Sequence, residues 1–367
     1  MKYRIPVAQP YIGDEELQKV TEAVKSGWIS SRGSFIEEFE RQFSSYIGAK
    51  YGVAVFNGTV ALHLALKALG IGEGSEVILP ALTFVATANA ATYTGAEPVF
   101  VDSHPDYWCV DPRAVERNIT EKTKAIIVVH LYGHPCDMDP ILELAGKYGV
   151  YVIEDCAEAH GALYKGRRVG SFGVISCFSF YGNKIITTGE GGMCLTSNHE
   201  LAEKMRTLRN QGVNPDKQYW HDIIGFNYRM TNLQAAIGVA QMSKIDKAIA
   251  RKRHIANRYR ELLGDERIVG PPEMQWAKSV YWLYSILLER DLRDSVIESL
   301  ARQGIESRPF FHPIHCLPPY KTDLRLQIAE ELSARGLSLP SGPNISEDDV
   351  DYVSSSLNSI LKDMSEK

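Results

Sequence analysis

Residues 51–69 read YGVAVFNGTVALHLALKAL and place a short apolar strand directly before a helix. Residues 53–56 predict the strand, and residues 59–69 predict the helix. The strand lacks the alternation of apolar and polar residues that a half-exposed strand shows, which indicates that both of its faces are buried. This strand–helix unit recurs further along the chain, and it decides the fold class.

The same alternation continues on the C-terminal side of this unit. Further strands are predicted at residues 76–79, 98–101, 125–130 and 151–153, with helices at residues 84–93 and 140–148. Short apolar strands separated by helices predict an α/β fold whose central sheet is mostly parallel and covered on both faces. Ligands of such sheets bind beyond the carboxyl ends of the strands, so the residues that follow each strand form the candidate site.

The pattern changes after residue 174. The predicted elements are strands at 175–180, 192–196 and near 279–288, and helices at 200–210, 233–263, near 292–303 and near 347–362. They predict a smaller C-terminal α+β domain after the large one. We place the boundary inside the long helical region, which gives a large domain at residues 1–245 and a small domain at residues 246–367. The N-terminal segment is free to pack on the small domain.

The composition is that of an ordinary globular protein and argues against two classes of partner. The 367 residues carry a net charge of −5, which gives no reason to expect nucleic acid or an anionic membrane surface. The six cysteines are scattered without a pair at metal-ligand spacing, so buried reduced thiols are expected and no metal site is predicted. Residues 1–18 contain no apolar segment of the signal-peptide type, and no apolar run approaches a membrane span. We therefore expect a cytoplasmic protein.

Polar and aromatic residues follow the first two predicted strands. Asn57, Gly58 and Thr59 open a helix, where free backbone N–H groups and a hydroxyl suit a phosphate. The alternative for this group is an ordinary helix N-cap. Phe84 follows the next strand, where its ring can lie flat on a planar ligand, and the alternative for it is packing in the core.

Asp155 and Lys184 are charged residues near the ends of later strands. A carboxylate at the end of a central strand is costly without a positive partner, which a protonated pyridine nitrogen supplies; the alternative is that Asp155 caps the next helix. Lys184 lies in SFYGNKIITTGEGG (residues 179–192), where a lysine can bond covalently to an aldehyde cofactor; the alternative is a surface lysine. With the phosphate site and the aromatic ring, these are the four parts that hold pyridoxal phosphate. Glycine motifs for nicotinamide cofactors or nucleoside triphosphates are not present in the sequence.

The sequence resembles the sugar aminotransferases of the DegT/DnrJ/EryC1/StrS group along nearly the whole chain. The motifs that carry the resemblance are SGW (26–28), NGTVAL (57–62), PALTFVAT (80–87), GAEPVFVD (95–102), EDCAEAHG (154–161), the stretch around Lys184, and NYRMTNLQA (227–235). The resemblance implies a pyridoxal-phosphate enzyme of fold type I. It also implies a homodimer in which both active sites are built at the subunit interface.

The resemblance implies a role for individual cofactor residues. Lys184 holds the cofactor covalently and then carries a proton between the cofactor and the substrate carbon. Asp155 pairs with the pyridine nitrogen and makes the ring an electron sink. Phe84 and Ala157 lie against opposite faces of the ring. The implied phosphate contacts are Gly58, Thr59 and Ser179.

Two further positions complete the implied cofactor site. Asn232 reaches the phosphate of the neighbouring subunit's cofactor. Glu158 stands where many relatives carry glutamine, near the ring hydroxyl, and there it either adds a negative charge or is itself protonated. Relatives with histidine in place of the lysine are dehydratases, so the lysine at position 184 favours an aminotransferase.

The implied substrate side involves residues for which structural alternatives stay open. The segment SRPFFHPIH (307–315) is similar to that of members that transfer an amino group from L-glutamate to C4 of GDP-4-keto-6-deoxymannose. Arg308 is the candidate contact to the nucleotide diphosphate, and its alternative is a salt bridge. The remaining candidates are His160 and His315 for the sugar, with structural histidines as the alternative, and Trp28 and Arg32 for the substrate cleft, with packing as the alternative.

The resemblance therefore implies a pyridoxal-phosphate-dependent aminotransferase that acts on a nucleotide-linked 4-keto-6-deoxy sugar, with GDP-perosamine as the expected product. Alternatives are a UDP- or dTDP-linked substrate, a cofactor-binding regulator without activity, and a lyase of small amino acids. The regulator is disfavoured because no basic DNA-binding appendage is evident, and the lyase because no second arginine is evident for an α-carboxylate.

Overall fold

Strands and helices alternate through the N-terminal half of the chain, as a computed structural model of residues 3–214 and 216–365 shows. The strands are β1 (Tyr51–Val55), β2 (Glu76–Pro80), β3 (Glu97–Val101), β4 (Thr123–Val129), β5 (Tyr151–Asp155), β6 (Leu163–Tyr164), β7 (Arg167–Arg168), β8 (Ile175–Ser179), β9 (Gly192–Thr196), β10 (Ala277–Lys278), β11 (Tyr284–Leu287), β12 (Arg308–Pro309) and β13 (Gly336–Leu339). The helices are α1 (Asp14–Ser26), α2 (Ser34–Ile47), α3 (Gly58–Ala68), α4 (Ala86–Thr94), α5 (Pro112–Asn118), α6 (Met138–Tyr148), α7 (His199–Arg209), α8 (Asn232–Met242), α9 (Ile245–Leu262), α10 (Arg293–Arg302), α11 (Gln327–Arg335) and α12 (Glu347–Ser365). Among the described residues, no helix combines the length and apolar character that crossing a membrane requires.

The central sheet has seven strands in the order β1-β9-β8-β5-β4-β2-β3. β9 runs antiparallel to its neighbours β1 and β8, and the other pairs are parallel. The parallel strands are buried along most of their length, as their uninterrupted apolar sequences predict. The carboxyl ends of β5 and β8 therefore lie side by side, and the loops that follow them share one edge of the sheet.

Helices pack against the sheet in two groups. α3 contacts β8 and β9 and lies beside α4 and α7, whereas α5 and α6 contact each other and pack on β3 and β5. α8 packs against α1 and α2. The main hydrophobic core lies between these helices and the sheet, and it includes Val53, Ile78 and Ile127.

A second hydrophobic core forms in the C-terminal part of the chain. It gathers Tyr259, Ile286, Leu300 and Leu357 from α9, β11, α10 and α12. Ile5 also belongs to this core, and its backbone N–H donates to the carbonyl of Gly304 at 3.0 Å. β11, β13 and β12 form an antiparallel sheet within this unit. The domain boundary near residue 245 stays a prediction.

Two elements differ from the sequence-based expectation. The helix predicted over residues 233–263 is two helices, because Ser243 and Lys244 separate α8 from α9. Lys244 extends its side chain to the buried carboxylate of Glu16, with 2.7 Å between Nζ and Oε1. The strand predicted near residues 279–288 is shorter, and its first part instead hydrogen-bonds to Tyr132 and Gly133.

Candidate active site

The N-terminus of α3 meets the end of β8 at close range. Asn57 caps the helix, since its side-chain oxygen accepts a hydrogen bond from the N–H of Val60 at 3.0 Å. A β-carbon on Gly58 would lie 2.7 Å from Cβ of Ser179, and one on Gly192 would lie 2.3 Å from the carbonyl oxygen of Asn57. A larger residue at either position would therefore force the neighbouring backbone segments apart. The free N–H groups of the helix start and the Ser179 hydroxyl form a site that suits a phosphate.

A cavity of about 510 Å³ opens at this edge of the sheet. The predicted site residues that line it are Gly58, Thr59, Phe84, Asp155, Ala157, Glu158, Ser179, Lys184 and Arg308. The structure thus brings together residues that lie far apart in the sequence. They come from the ends of β1, β2, β5 and β8 and from β12.

Asp155 ends β5 and is buried at the base of the cavity. Its Oδ2 accepts a hydrogen bond from the hydroxyl of Thr87 at 2.9 Å, and its Oδ1 accepts one from the N–H of Ala157 at 3.1 Å. Burial raises the pKa of this carboxyl, and the hydrogen bonds and the charge of Lys184 oppose the rise. The carboxyl is held in one orientation, and no cationic side chain of the described residues forms an ion pair with it, so a protonated ring nitrogen would complete it.

Lys184 lies in the turn after β8, and its backbone N–H donates to the carbonyl of Tyr181 at 2.9 Å. Its side chain is only 11% exposed. Nζ lies 4.0 Å from Oε1 of Glu158 and 3.9 Å from the centre of the Trp282 ring. Burial lowers the pKa of this lysine, and the charges of Glu158 and Asp155 oppose the decrease. Its amine is therefore closer to the neutral, nucleophilic form than that of a surface lysine.

Glu158 faces Lys184 from the segment after β5. Its other carboxylate oxygen, Oε2, accepts a hydrogen bond from the N–H of Tyr132 at 2.8 Å. Burial raises the pKa of Glu158 to about 7, although Lys184 opposes the rise. Both of the states considered for this residue, ionised and protonated, are therefore accessible near neutral pH.

The rim of the cavity carries Phe84 and Arg308. Phe84 is 56% exposed, and its ring centre lies 5.8 Å from that of Phe311. Arg308 donates from Nε and Nη2 to Oε1 of Glu306 at 3.2 and 3.1 Å, so the salt bridge considered as an alternative is present. Glu306 is anchored in turn by the N–H of Val7, which donates to its Oε2 at 2.9 Å. Arg308 both forms this pair and lines the cavity.

Asn232, Trp28 and Arg32 lie outside the cavity of their own chain. The Asn232 side chain donates to the carbonyl of Trp28 at 2.7 Å and accepts from the N–H of Phe35 at 3.1 Å. Trp28 is 56% exposed. Arg32 lines a separate cleft of about 270 Å³ together with three further arginines, at positions 206, 209 and 229. These three residues lie near one another in the structure, but they do not line the cavity that contains Lys184.

His160 and His315 are also outside the cavity lining, and both are buried. The His160 ring packs among aromatic rings, with centres 5.5 Å from Phe178 and 5.6 Å from Phe180. His315 interacts with Glu330, with 3.3 Å between Nε2 and Oε1. Neither histidine is among the residues that line the cavity, and the expectation that the two contact the sugar stays a prediction. For His315, the contact with Glu330 is of the kind that the structural alternative describes.

A buried polar cluster lies behind the site. Among the described residues, His130, Glu154 and Cys156 bring potential metal ligands within 4.8 Å of one another. The Glu154 carboxylate accepts three backbone N–H groups of residues 170–173 at 2.6–2.7 Å and lies 3.2 Å from Nε2 of His130. The N–H of Cys136 donates to Nδ1 of His130 at 3.0 Å. These hydrogen bonds already use the ring nitrogens and the carboxylate, so we assign the cluster a structural role beside Asp155.

Sequence reasoning missed three residues that shape the cavity. Thr87 orients Asp155, Tyr132 binds Glu158 through its backbone, and Trp282 covers Lys184. Thr87 stands in a quoted motif and was available as a signal. Tyr132 and Trp282 lie in apolar runs, and their position in the site depends on long-range packing that local sequence does not reveal.

The residues present fit pyridoxal phosphate. The helix N-terminus with its closely approached glycine suits the phosphate, the buried carboxylate suits a protonated ring nitrogen, and the largely buried lysine suits the aldehyde. Phe84 and Ala157 line the space between them. These residues thus offer partners for the phosphate, the ring nitrogen and the aldehyde of the cofactor.

Known proteins are similar to this chain along nearly its whole length. The sequence matches the DegT/DnrJ/EryC1/StrS aminotransferase family over residues 10–358. The chain belongs to this family. It is 49% identical over 366 residues to a GDP-perosamine synthase of Caulobacter vibrioides, covering 98% of each chain. It is 48% identical to a GDP-perosamine synthase of Escherichia coli O157:H7, covering 99% of this chain and 100% of the relative.

Solved structures of aminotransferases share the fold. The PLP form of the Streptococcus pneumoniae protein Spr1654 superimposes with a TM-score of 0.94 at 29% identity, covering 98% of this chain and 99% of that one. The protein is therefore a pyridoxal-phosphate-dependent sugar aminotransferase of the DegT/DnrJ/EryC1/StrS family. The predicted family, fold class and cofactor are confirmed.

Proposed function

We propose that this aminotransferase transfers the amino group of L-glutamate to C4 of GDP-4-keto-6-deoxy-D-mannose and so makes GDP-perosamine. The observation that carries the proposal is the near-full-length identity, 49% and 48%, to relatives named GDP-perosamine synthase. The cavity supports it, because Lys184, Asp155 and a rim arginine line one space of about 510 Å³. The reaction runs in two halves, with release of 2-oxoglutarate before the 4-keto sugar receives the amino group.

The residues around the cavity divide the work of holding the cofactor. The backbone N–H groups at the start of α3 and the hydroxyls of Thr59 and Ser179 bind its phosphate. Asp155, oriented by Thr87, keeps the ring nitrogen protonated. When bound, pyridoxal phosphate supplies the aldehyde that accepts the amino group and a ring that takes up the electron pair of the broken C–H bond.

Lys184 moves the proton that this chemistry requires. Its amine would take a proton from the α-carbon of glutamate in the first half-reaction and deliver one to C4 of the sugar in the second. A base must be in its neutral form to accept a proton, and burial of Lys184 favours that form because it lowers the pKa of the amine. Glu158, 4.0 Å away, is the nearby group able to exchange a proton with it.

Arg308 is the proposed contact to the nucleotide diphosphate. Its guanidinium is bound by Glu306 through Nε and Nη2, and those two bonds leave Nη1 for an anionic ligand. Its side chain is 42% exposed at the cavity rim, so a substrate phosphate can reach it without unfolding. A planar guanidinium matches the geometry of a phosphate oxygen pair.

A homodimer with shared active sites is part of the proposal. Asn232, Trp28 and Arg32 lie away from the cavity of their own chain, and Trp28 exposes a large apolar ring. These positions suit residues that serve a neighbouring subunit. The test mixes Lys184→Ala subunits with Arg32→Ala subunits. Hybrid dimers regain activity if Arg32 acts in the partner's site, and mixtures without activity would contradict the sharing.

Replacement of Lys184 tests the chemistry. Lys184→Ala should abolish release of 2-oxoglutarate from glutamate, and borohydride reduction of the wild-type protein should fix the cofactor at this residue. Lys165→Ala is the matched control, because Lys165 is an exposed lysine paired with Asp139. Native turnover by Lys184→Ala would contradict the mechanism.

Substrate identity is tested separately. Turnover is compared with GDP-, UDP- and dTDP-linked 4-keto-6-deoxyhexoses at equal concentration, with glutamate as donor. The highest kcat/KM is expected for the GDP-linked mannose derivative. A preference for UDP or dTDP would replace the proposed substrate with the alternative one, and cofactor binding without turnover of any sugar would identify a non-catalytic regulator.

A further inference from the structure

Trp282 is held at each of its polar groups. Its backbone N–H donates to the carbonyl of Tyr132 at 3.1 Å, and its indole N–H donates to the carbonyl of Asn183 at 2.8 Å. Its own carbonyl accepts a hydrogen bond from Nζ of Lys252 at 2.8 Å. With the side chain buried as well, the indole has one position available to it.

The fixed indole covers the central lysine of the site. Nζ of Lys184 lies 3.9 Å from the ring centre, which is within the range of a cation–π contact. The indole N–H also holds the carbonyl of the residue that precedes Lys184, so ring and lysine backbone move together. Tyr132 supports the ring from nearby, with the two ring planes 8° apart and their centres separated by 6.2 Å.

Lys252 is an unusual partner for this arrangement. It lies on α9, is 1% exposed, and also donates to the carbonyl of Ser341 at 2.9 Å. Among the described residues it has no ion pair, and burial lowers its pKa to about 7. A neutral amine has two N–H groups, which equals the number of carbonyls that it binds. A buried lysine so placed fixes backbone rather than balancing charge.

We propose that Trp282 is a positioning residue that sets the protonation of Lys184, and that Lys252 holds Trp282 in place through its carbonyl. The roles of both residues rest on the proposed function of Lys184 as the cofactor lysine. These roles go beyond that function, because Trp282 and Lys252 would determine the protonation state of Lys184.

The sign of the effect follows from the charge distribution of the ring. The face of an indole is negative and attracts a cation. Trp282 therefore favours the ammonium form of Lys184 and opposes burial, which lowers the pKa of this lysine. Glu158 and Asp155 act in the same direction as the ring. His160, whose pKa falls to about 3 mainly through burial, stays neutral.

The effect of Trp282 on the protonation of Lys184 is measured by the rate at which cofactor-free protein binds pyridoxal phosphate covalently. Only the neutral amine of Lys184 attacks the aldehyde, so the pH at which the capture rate inflects reports the titration of the lysine together with its neighbour Glu158. The absorbance change is followed without glutamate or a nucleotide sugar. A wrong sugar assignment therefore leaves the result interpretable, whereas absence of covalent capture by the wild type would contradict the role of Lys184 itself.

Trp282→Leu keeps an apolar side chain and removes the ring. We expect its inflection about one pKa unit below that of the wild type, which is roughly tenfold faster capture at low pH. Trp282→Phe keeps an aromatic ring that attracts a cation less strongly, and its inflection should lie between those of the wild type and Trp282→Leu. Trp276→Leu is the matched control, because Trp276 packs on Tyr164 away from the lysine. An inflection of Trp282→Leu equal to that of the control, or above the wild type, overturns the role of the ring.

The Lys252→Met variant tests the proposal that Lys252 holds Trp282 in place. If Lys252 acts through Trp282, the single variant shifts the inflection in the same direction, and Lys252→Met combined with Trp282→Leu shifts it no further than Trp282→Leu alone. Additive shifts, or none for Lys252→Met, overturn this part. If the Met variant does not fold, Lys252→Arg, which keeps donors for both carbonyls, should retain the wild-type inflection, and a shifted one contradicts the role.

Discussion

Lys184 and Glu158 face each other in the cavity, with 4.0 Å between Nζ and Oε1. Burial acts on the two groups in opposite directions, since it lowers the pKa of the lysine and raises that of the carboxyl to about 7. Each group favours its neutral form in the interior, while their mutual attraction favours the ion pair. The pair can therefore take up or release a proton near neutral pH, where the lysine acts as a base.

Glu158→Gln should change how stability depends on pH. The folded-state pKa of Glu158, about 7, lies above the ordinary value of 4.5, so its contribution to stability is full below the ordinary value and is lost as pH rises through about 7. The glutamine variant of the cofactor-free protein should gain up to about 3 kcal/mol relative to the wild type between about pH 5 and about pH 8. Urea unfolding at both pH values measures it.

The control for this prediction is Glu203→Gln, which alters a half-exposed carboxylate paired with Arg206. The difference in the free energy of unfolding between this variant and the wild type is measured over the same pH interval. If Glu158→Gln behaves in the same way as Glu203→Gln, the carboxyl of Glu158 is ionised throughout and the interpretation of the pair is wrong.

Asp155→Asn should preserve the fold and weaken catalysis. Asparagine can still accept the hydrogen bond from the N–H of Ala157 and can donate to the hydroxyl of Thr87, but it cannot stabilise a positive ring nitrogen. We expect kcat to fall by about 10²–10³-fold, the cost of removing one electrostatic partner in a buried site. Steady-state turnover and cofactor binding are measured together.

Thr87→Val is the companion variant, because it removes one hydrogen bond to Asp155 and leaves the charge. Its loss should be about fivefold, corresponding to roughly 1 kcal/mol for one hydrogen bond. Equal losses in the two variants would show that orientation of the carboxyl, and not its charge, is what the site needs.

Glu154→Gln should destabilise the fold behind the site. The carboxylate accepts hydrogen bonds on both oxygens from residues 170–173, and an amide would place N–H against N–H on one side. We expect a loss of about 3–5 kcal/mol in the free energy of unfolding at neutral pH. Hydrogen bonds hold the pKa of Glu154 below its ordinary value, so the wild type should lose this contribution only as pH falls through that lowered pKa.

Urea unfolding measures the loss, and Glu116→Gln, at an exposed carboxylate paired with Lys147, is the control. A Glu154 variant as stable as the Glu116 variant would mean that the 170–173 turn finds other acceptors.

The local sequence pattern was sufficient to predict the central sheet. It was not sufficient for features that depend on contacts between residues far apart in the sequence. β1 to β5 could be predicted because each is a short apolar run between helices, and Asp155 and Gly58 follow from their positions at strand ends. The break between α8 and α9 could not, since the ion pair of Lys244 with Glu16 joins residues far apart in the sequence. Nothing in the sequence next to Lys244 or Glu16 indicates that these two side chains form an ion pair.

The same limit explains the site residues that were missed and the buried position of the His160 ring. His160 stands in a motif next to cofactor residues, but its ring turns toward Phe43 and Phe178 on the core side of the sheet. Trp282 was assigned to a strand, and it reaches Lys184 because its backbone bonds to Tyr132 instead of to a neighbouring strand. Side-chain direction after a strand end depends on packing that periodicity does not encode.

Gly58→Ala should reduce affinity for the cofactor without unfolding the protein. Its β-carbon would lie 2.7 Å from Cβ of Ser179, closer than real β-carbons approach, so the start of α3 and the end of β8 must separate. That separation spreads the N–H groups and hydroxyl that bind the phosphate, and we expect Kd for pyridoxal phosphate to rise by about tenfold or more, which corresponds to at least one charge-assisted hydrogen bond. Gly146→Ala is the matched control, because a β-carbon at Gly146 on α6 meets no atom within 4 Å. It should leave Kd unchanged, and equal affinity in the two variants would show that the phosphate is held elsewhere.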